Sequence, residues 1–177
     1  WIQSISIGVF GLMCLLRWAI LPRVNTGTYS IHSGFYARKW TVSLATEVTL
    51  DTLSSLFATI YMQFWYRLMG AHVGKGSEMS TNLSGRFDIT SIGDGNFVAD
   101  EVILGDEDIR RGYMTLEKVV TGDRVFVGND AVVAPGTVIP EGVLIGIKSK
   151  PPANAMMQPN ETWFGSPPIR LPVRQKV

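Results

Sequence analysis

The sequence predicts a mainly β protein, a stacked solenoid of six-residue repeats preceded by one or two apolar or amphipathic helices. Three observations predict it. Between Thr121 and Lys150 the chain reads TGDRVF, VGNDAV, VAPGTV, IPEGVL, IGIKSK without a break. The same beat is heard upstream in VGKGSE, MSTNLS and GRFDIT, and then, after one extra residue at Ser91, in IGDGNF, VADEVI and LGDEDI. Ahead of the repeat lie two apolar stretches with almost no charge. In the unbroken run the first place holds Thr121, Val127, Val133, Ile139 and Ile145. The second is small or constrained (Gly122, Gly128, Ala134, Pro140, Gly146), and the fifth is small or branched (Val125, Ala131, Thr137, Val143, Ser149). A short strand and a turn repeated at one length make a solenoid. Each coil then buries its apolar place only against the coils above and below.

Residues 1–23 open on Ile2 to Leu21, whose one charge is Arg17. About 20 mostly apolar residues suffice to cross a bilayer, so this segment predicts a transmembrane helix. Arg17 would snorkel, with Trp18 at headgroup level and Arg23 beyond; a buried core helix is the competing reading. A cleavable signal peptide is disfavoured, because there is no basic front end and no small-residue cleavage site. The start at Trp1, inside an apolar run, predicts a piece of a longer polypeptide. Residues 24–51 are expected as a linker, and Arg23, Arg38, Lys39 and Trp40 place it on a cytosolic side. Residues 52–70 predict an amphipathic or membrane helix. Leu53, Leu56, Phe57, Ile60, Phe64 and Leu68 share one face, and Thr52, Ser55, Thr59 and Gln63 share the other. Such a helix can lie in a membrane interface, pair with the first span or cap the open end of the solenoid. The solenoid occupies 71–150. Residues 106–118 (DEDIRRGYMTLEK) fit the period poorly and are expected as a loop thrown out of the stack, and 151–177 form a C-terminal tail.

Composition narrows the function classes. The chain has 177 residues, enough for about one domain. A net charge of +1 leaves no electrostatic footprint for nucleic acid. The single cysteine, Cys14, offers neither a disulfide framework nor a thiolate metal site, and suits a reducing compartment. There is no G-x-S-x-G, no Walker loop and no zinc spacing, so no metal is expected.

The stretch RVFVGNDAVVAPGTVIPEGVLIGIKSKPP, followed by WFGSPPIRLP, resembles the hexapeptide-repeat acyltransferases, whose fold is a left-handed parallel β-helix. Gly165-Ser166-Pro167 resembles the Gly-x-Pro segment that follows their closing coils. A closer resemblance rests on four stretches. They are GTYSIHSGFYARKW (Gly27 to Trp40), YRLMGAHVGKGSEMST (Tyr66 to Thr81), IGDGNFVADEVILGDEDIRRGYM (Ile92 to Met114) and TWFGSPPIRLPVR (Thr162 to Arg174). It is to the membrane-embedded terminal region of stand-alone nonribosomal peptide synthetases, the poly-lysine synthetase-like enzymes. That resemblance implies an acyltransferase-like module. It would pass an aminoacyl group from a carrier-protein phosphopantetheine thioester to an amine or hydroxyl acceptor. The implied partners are the carrier domain and sister β-helix modules of the same polypeptide, or a homotrimer. The implied location is the membrane, with the β-helix facing the cytoplasm. Two alternatives stay open: a non-catalytic scaffold beside an active sister module, and a free-standing acetyltransferase using acetyl-coenzyme A.

The resemblance also implies site residues. The pantetheine arm, of a carrier or of coenzyme A, would lie along a solenoid edge at Gly128, Ala134, Gly146 and Ser149, with Lys148 and Lys150 near its phosphates. Those glycines read equally well as coil corners, and the lysines as solvated turn residues. Relatives of this fold place a catalytic histidine where the loop leaves the stack. Gly105-Asp106-Glu107 stands there instead, so Asp106, Glu107 or Asp108 is the candidate base. A cluster that includes Asp100 and Glu101 could raise a carboxyl pKa toward neutrality, whereas pairing with Arg110 and Arg111 would lower it. The acids could also hold the ammonium of an acceptor, or simply pair with their own arginines. His32, in the stretch between the two helices, is the other candidate. His72, at the first coil, reads as structural.

Overall fold

The computed structural model describes residues 2–52, 60–151 and 157–172, and no side chain of 2–7, 52, 60 or 61. Its centre is a three-sided stack of short parallel strands. On one side β2 (His72–Val73), β4 (Thr90–Ile92), β9 (Val119–Thr121) and β12 (Val138–Ile139) lie one above another. The second side carries β3 (Glu78–Met79), β5 (Phe97–Val98), β10 (Phe126–Val127), β13 (Leu144–Ile145) and β14 (Thr162–Phe164). The third pairs β6 (Ile103–Leu104) with β11 (Val132–Val133). The hexad's first place is the inward one: Val73, Met79, Ile92, Val98, Leu104, Val127, Val133, Ile139 and Ile145 are all buried. Single apolar columns of this kind form the core because each strand offers only one inward side chain per coil.

The corners explain the glycines. A Cβ on Gly74 would lie 2.3 Å from the Gly93 carbonyl oxygen, and one on Gly93 would lie 2.3 Å from that of Gly122. Successive coils therefore touch backbone to backbone there, which only glycine permits. Polar ladders run beside them. The Asp94 carboxylate accepts the Lys75 N–H at 2.7 Å, and that of Asp123 accepts the Asp94 N–H at 2.8 Å. Inside, buried Asn96 donates to Thr121 Oγ1 (2.6 Å) and the Gly122 carbonyl (2.9 Å), and accepts from the Val125 N–H at 2.7 Å. Every polar group of that side chain is thus satisfied, as burial requires. The extra residue at Ser91 is absorbed just before β4. Ser84 and Gly85 turn left-handed, and a 3-10 turn follows at Phe87–Ile89.

Three helices stand at the open end: α1 (Ile2–Ile20), α2 (Gly34–Thr52) and α3 (Ile60–Leu68). Among the described residues no helix is long and apolar enough to cross a membrane. The expected span takes in residues 1–7, whose side chains lie outside the described residues; the expected snorkelling of Arg17 is corrected. That guanidinium is fully buried, ion-paired with Asp88 and donating to the Pro22 carbonyl at 2.9 Å. The expected linker at 24–51 instead holds β1 (Gly27–Ser30) and α2. Ser33 starts α2 by accepting the Tyr36 N–H at 3.2 Å. The described part of the second apolar segment is α3, and Leu53, Leu56, Phe57 and Thr59 lie outside the described residues. Of the apolar face, Phe64 and Leu68 are 54% and 64% exposed, while Gln63 of the polar face is buried together with Met62, Trp65, Tyr66 and Met69. Trp65 and Tyr66 meet Phe87 of the first coil, and the Tyr66 hydroxyl donates to the Thr81 carbonyl at 2.5 Å. Arg67 donates to the Val73 and Gly74 carbonyls at 2.7 and 2.8 Å, so α3 caps the stack. At the far end β15 (Ile169–Leu171) folds back antiparallel on β14, continuing the second sheet where a tail was expected.

Candidate functional site

Residues 106–118 leave the stack as a hairpin of β7 (Asp108–Arg110) and β8 (Tyr113–Leu116). Arg111 and Gly112 turn it with two positive φ angles, the geometry of a tight hairpin. The hairpin is not a free loop. β1 adds to β8 antiparallel from Gly27↔Leu116 to Ser30↔Tyr113, making a three-stranded sheet.

At the hairpin root stand the three candidate carboxylates, and two buried cations hold Asp106 and Glu107. Lys39 of α2 donates from Nζ to Glu107 Oε1 at 2.8 Å and to the Ser84 carbonyl at 3.2 Å. Arg86 donates from Nη1 to Glu107 Oε2 at 2.9 Å, and its Nη2 pairs with Asp106. The side chains of Lys39 and Arg86 are each 2% exposed, against 22% for Glu107 and 49% for Asp106. Asp108 pairs instead with Arg110 at 2.9 Å, at the surface. Burial alone pushes the Glu107 carboxyl up, but the Lys39 hydrogen bond and the charges of Lys39 and Arg86 outweigh it. The group sits below the ordinary glutamate value. Burial pulls the Lys39 ammonium below its ordinary value against the opposing pull of Glu107. Of the two directions left open by the sequence, Glu107 takes the downward one, through Lys39 and Arg86 rather than Arg110 and Arg111, and is held as a carboxylate.

His32 is exposed on the turn between β1 and α2, its backbone N–H donating to Ser30 Oγ at 3.2 Å. Ser30 lies opposite Tyr113 at the hairpin tip, whereas Asp106 and Glu107 are at its root, so the strand register does not bring His32 to them. His72 points outward from β2. Along the other edge, the N–H groups of Gly128, Gly146 and Lys148 donate to the carbonyls of Ile145, Trp163 and Asn129 at 2.8–2.9 Å. Ser149 is buried, its hydroxyl donating to the Ile147 carbonyl and accepting the Gly165 N–H at 2.8 Å. Ala134 gives its carbonyl to the Thr137 hydroxyl. These amides and the Ser149 hydroxyl are spent between coils. What this edge still offers a pantetheine arm is apolar surface and the ammonium of exposed Lys148. Among the described residues no group of His, Cys, Asp and Glu could hold a metal ion.

Arg86 and Lys39 were not legible as site residues. Arg86 precedes Glu107 by 21 residues and Lys39 by 68. The one local signal was GFYARKW, a basic pair in a stretch with otherwise little charge.

A three-sided hexad stack with a hairpin thrown from one coil defines the class: the chain has the hexapeptide-repeat solenoid fold. The fold is shared with a maltose O-acetyltransferase from Clostridium difficile 630, at a TM-score of 0.59 and 17% identity, covering 90% of this chain and 97% of that one. It is shared as well with a hexapeptide-repeat-containing acetyltransferase from Vibrio cholerae, at 0.51 and 13% identity, covering 97% and 93%. The sequence is similar to part of Delta-poly-L-ornithine synthetase from Acinetobacter baumannii (strain AB307-0294), 48% identical over 160 residues and 90% of this chain. The chain spans 12% of that relative's length. No protein-family model matches it.

Proposed function

We propose that the chain is one left-handed β-helix module of a larger peptide synthetase-like enzyme, in which an aminoacyl group on a phosphopantetheine thioester is passed to an amine. The observation that carries this reading is the 48% identity, over 160 residues and 90% of this chain, to one stretch of a poly-ornithine synthetase. In the transfer the acyl carbon's C–S bond breaks and a C–N bond forms. The pantetheine leaves as the thiol, taking up the proton that the amine loses. Coenzyme A would present the same arm, and Lys148 is a cation its phosphates could meet. Glu107, held as a carboxylate at the hairpin root, supplies negative charge beside the acceptor amine rather than a strong base. The stacked rings of Phe97 and Phe126, 5.4 Å apart and 7° from parallel, run into Leu144 as an exposed apolar stripe that suits a sister module or a second copy. Exposed Leu12, Leu16, Trp40 and Leu44 on α1 and α2 suit contact with a membrane surface, with the solenoid on the cytoplasmic side.

A second reading has its own observation. With Asp106 and Glu107 both claimed by Arg86, and Glu107 also by Lys39, the corner can serve as a strut in a scaffold module beside an active sister. The two readings separate in the intact parent enzyme. Product formation is compared with that of Asp106→Asn, Glu107→Gln and Asp108→Asn combined, and of His32→Ala alone. A loss of about 100-fold in the triple variant, with folding intact, supports transfer at this corner. Unchanged turnover in both variants leaves the scaffold.

A further inference from the structure

We infer that Lys39 is a positioning residue for the hairpin-root site, so that α2 is part of the site rather than a mere cover. The inference rests on the transfer reading above and goes beyond it, to a residue on an element outside the solenoid. The contact is built from both sides. The Ser43 hydroxyl, one helical turn after Lys39, donates to the same Ser84 carbonyl at 2.7 Å. Gly85 follows with a φ of +75°, and a Cβ there would lie 3.0 Å from Ser43 Oγ and 3.7 Å from the Lys39 carbonyl oxygen. α2 therefore packs against the turn that carries Arg86, chiefly through the Ser43 hydroxyl, and the positive φ at 85 suits glycine. From that turn Arg86 spans Asp106 and Glu107, while Lys39 takes the remaining Glu107 oxygen.

A buried lysine is a poor device for stability alone. Taking its charge out of water costs several kcal/mol, and a well-packed apolar residue in place of a buried ion pair is often neutral or better. What the pair does supply is direction. With Lys39 on Oε1 and Arg86 on Oε2, Glu107 has one orientation, and Arg86 Nη2, donating also to the Leu104 carbonyl at 3.3 Å, is turned to Asp106. Asp106, half exposed, is then presented to solvent at a fixed place. The groups facing Glu107 are Lys39 from α2, Arg86 from the 84–86 turn and Asp106 from its own strand end.

The test uses the intact parent enzyme and three variants, Lys39→Met, Lys39→Arg and the triple carboxylate variant. Lys39→Met is expected to cut kcat/KM for the acceptor about tenfold or more while the melting temperature holds or rises. Lys39→Arg should restore most of the lost activity. The acid limb of the pH–rate profile should move to higher pH in Lys39→Met, because Glu107 loses a cation. If Lys39→Met does not accumulate, Lys39→Gln removes the charge at similar size. Turnover within twofold of wild type and an unmoved acid limb, in a folded charge-removed variant, overturn the inference. If the triple carboxylate variant is also unaffected, the transfer reading at this corner falls with it; if that variant alone loses activity, only the role of Lys39 falls.

Discussion

Glu107 shows how far one residue's chemistry depends on partners that its own stretch does not name. Its folded carboxyl lies below the ordinary glutamate value, so its pairing stabilises the protein above that ordinary value. The contribution is lost as pH falls through the lowered folded value. Lys39 runs the other way. Its lowered ammonium pKa works against folding at neutral pH, and that opposition fades toward alkaline pH. We expect the stability difference between wild type and Glu107→Gln to be flat from about pH 6 to 8 and to shrink below about pH 4. Urea unfolding at a series of pH values reads it directly. A difference that instead grew on acidification would contradict the ion-paired assignment. The sequence did mark this corner, because Asp106, Glu107 and Asp108 interrupt an otherwise apolar beat. It could not show the sign of the shift. That sign comes from Arg86 and Lys39, which the fold brings in from the coil below and from α2, whereas the neighbouring Arg110 serves only Asp108.

At the scale of elements, the coils were readable and their attachments were not. A hexad with one apolar place, one small place and a turn determines its own geometry. Val127, Val133, Ile139 and Ile145 accordingly point inward as read, and the glycine columns mark where coils meet. The strength of that meeting is measurable. Gly93→Ala puts a methyl group against the Gly122 carbonyl and should cost about 1–3 kcal/mol by overpacking. Gly112→Asn, at the open hairpin turn with a φ of +80°, should cost only a few tenths. Thermal melts of the two variants would reveal equal losses if the backbone contact were loose. β1 and α2 were missed for a different reason. α2 has Val42 and Leu50 turned inward but Trp40 and Leu44 turned outward, which blurs any one-sided stripe. β1 is four residues long, and only its distant partner β8 makes it a strand. On α3 the leucine and phenylalanine face was legible, but not that Trp65, Tyr66 and Met69 are the side chains buried at the first coil.

The whole molecule is lopsided in its apolar surface. Among the described residues, α1 and α2 enclose an apolar groove of about 400 Å³ between Leu12, Met13, Leu16, Leu44 and Ala45, with Leu15 and Trp40 also exposed on these helices. An exposed apolar patch of this kind marks a contact with lipid or protein. Replacing Leu12, Leu16 and Leu44 together by glutamine should lower co-flotation with anionic phosphatidylglycerol vesicles by at least about tenfold, since each leucine is worth roughly 1.5–3 kcal/mol when fully buried. The solenoid fold should be unchanged by circular dichroism. Equal flotation of the triple variant would assign the groove to a protein neighbour. The pairing of β1 with β8 bears on how such a chain is made. Thr28 and Thr115, whose hydroxyls meet at 3.2 Å, are 87 residues apart in sequence. Coils can be added one upon another as they emerge from the ribosome, each closing on the last. β1 cannot find its place until the chain has been extended through the hairpin, whereas Arg17 of α1 meets Asp88 sooner. A chain arrested between β6 and β8 would carry a finished lower stack and an unpaired β1, and that interval is where a chaperone or a bilayer would meet it.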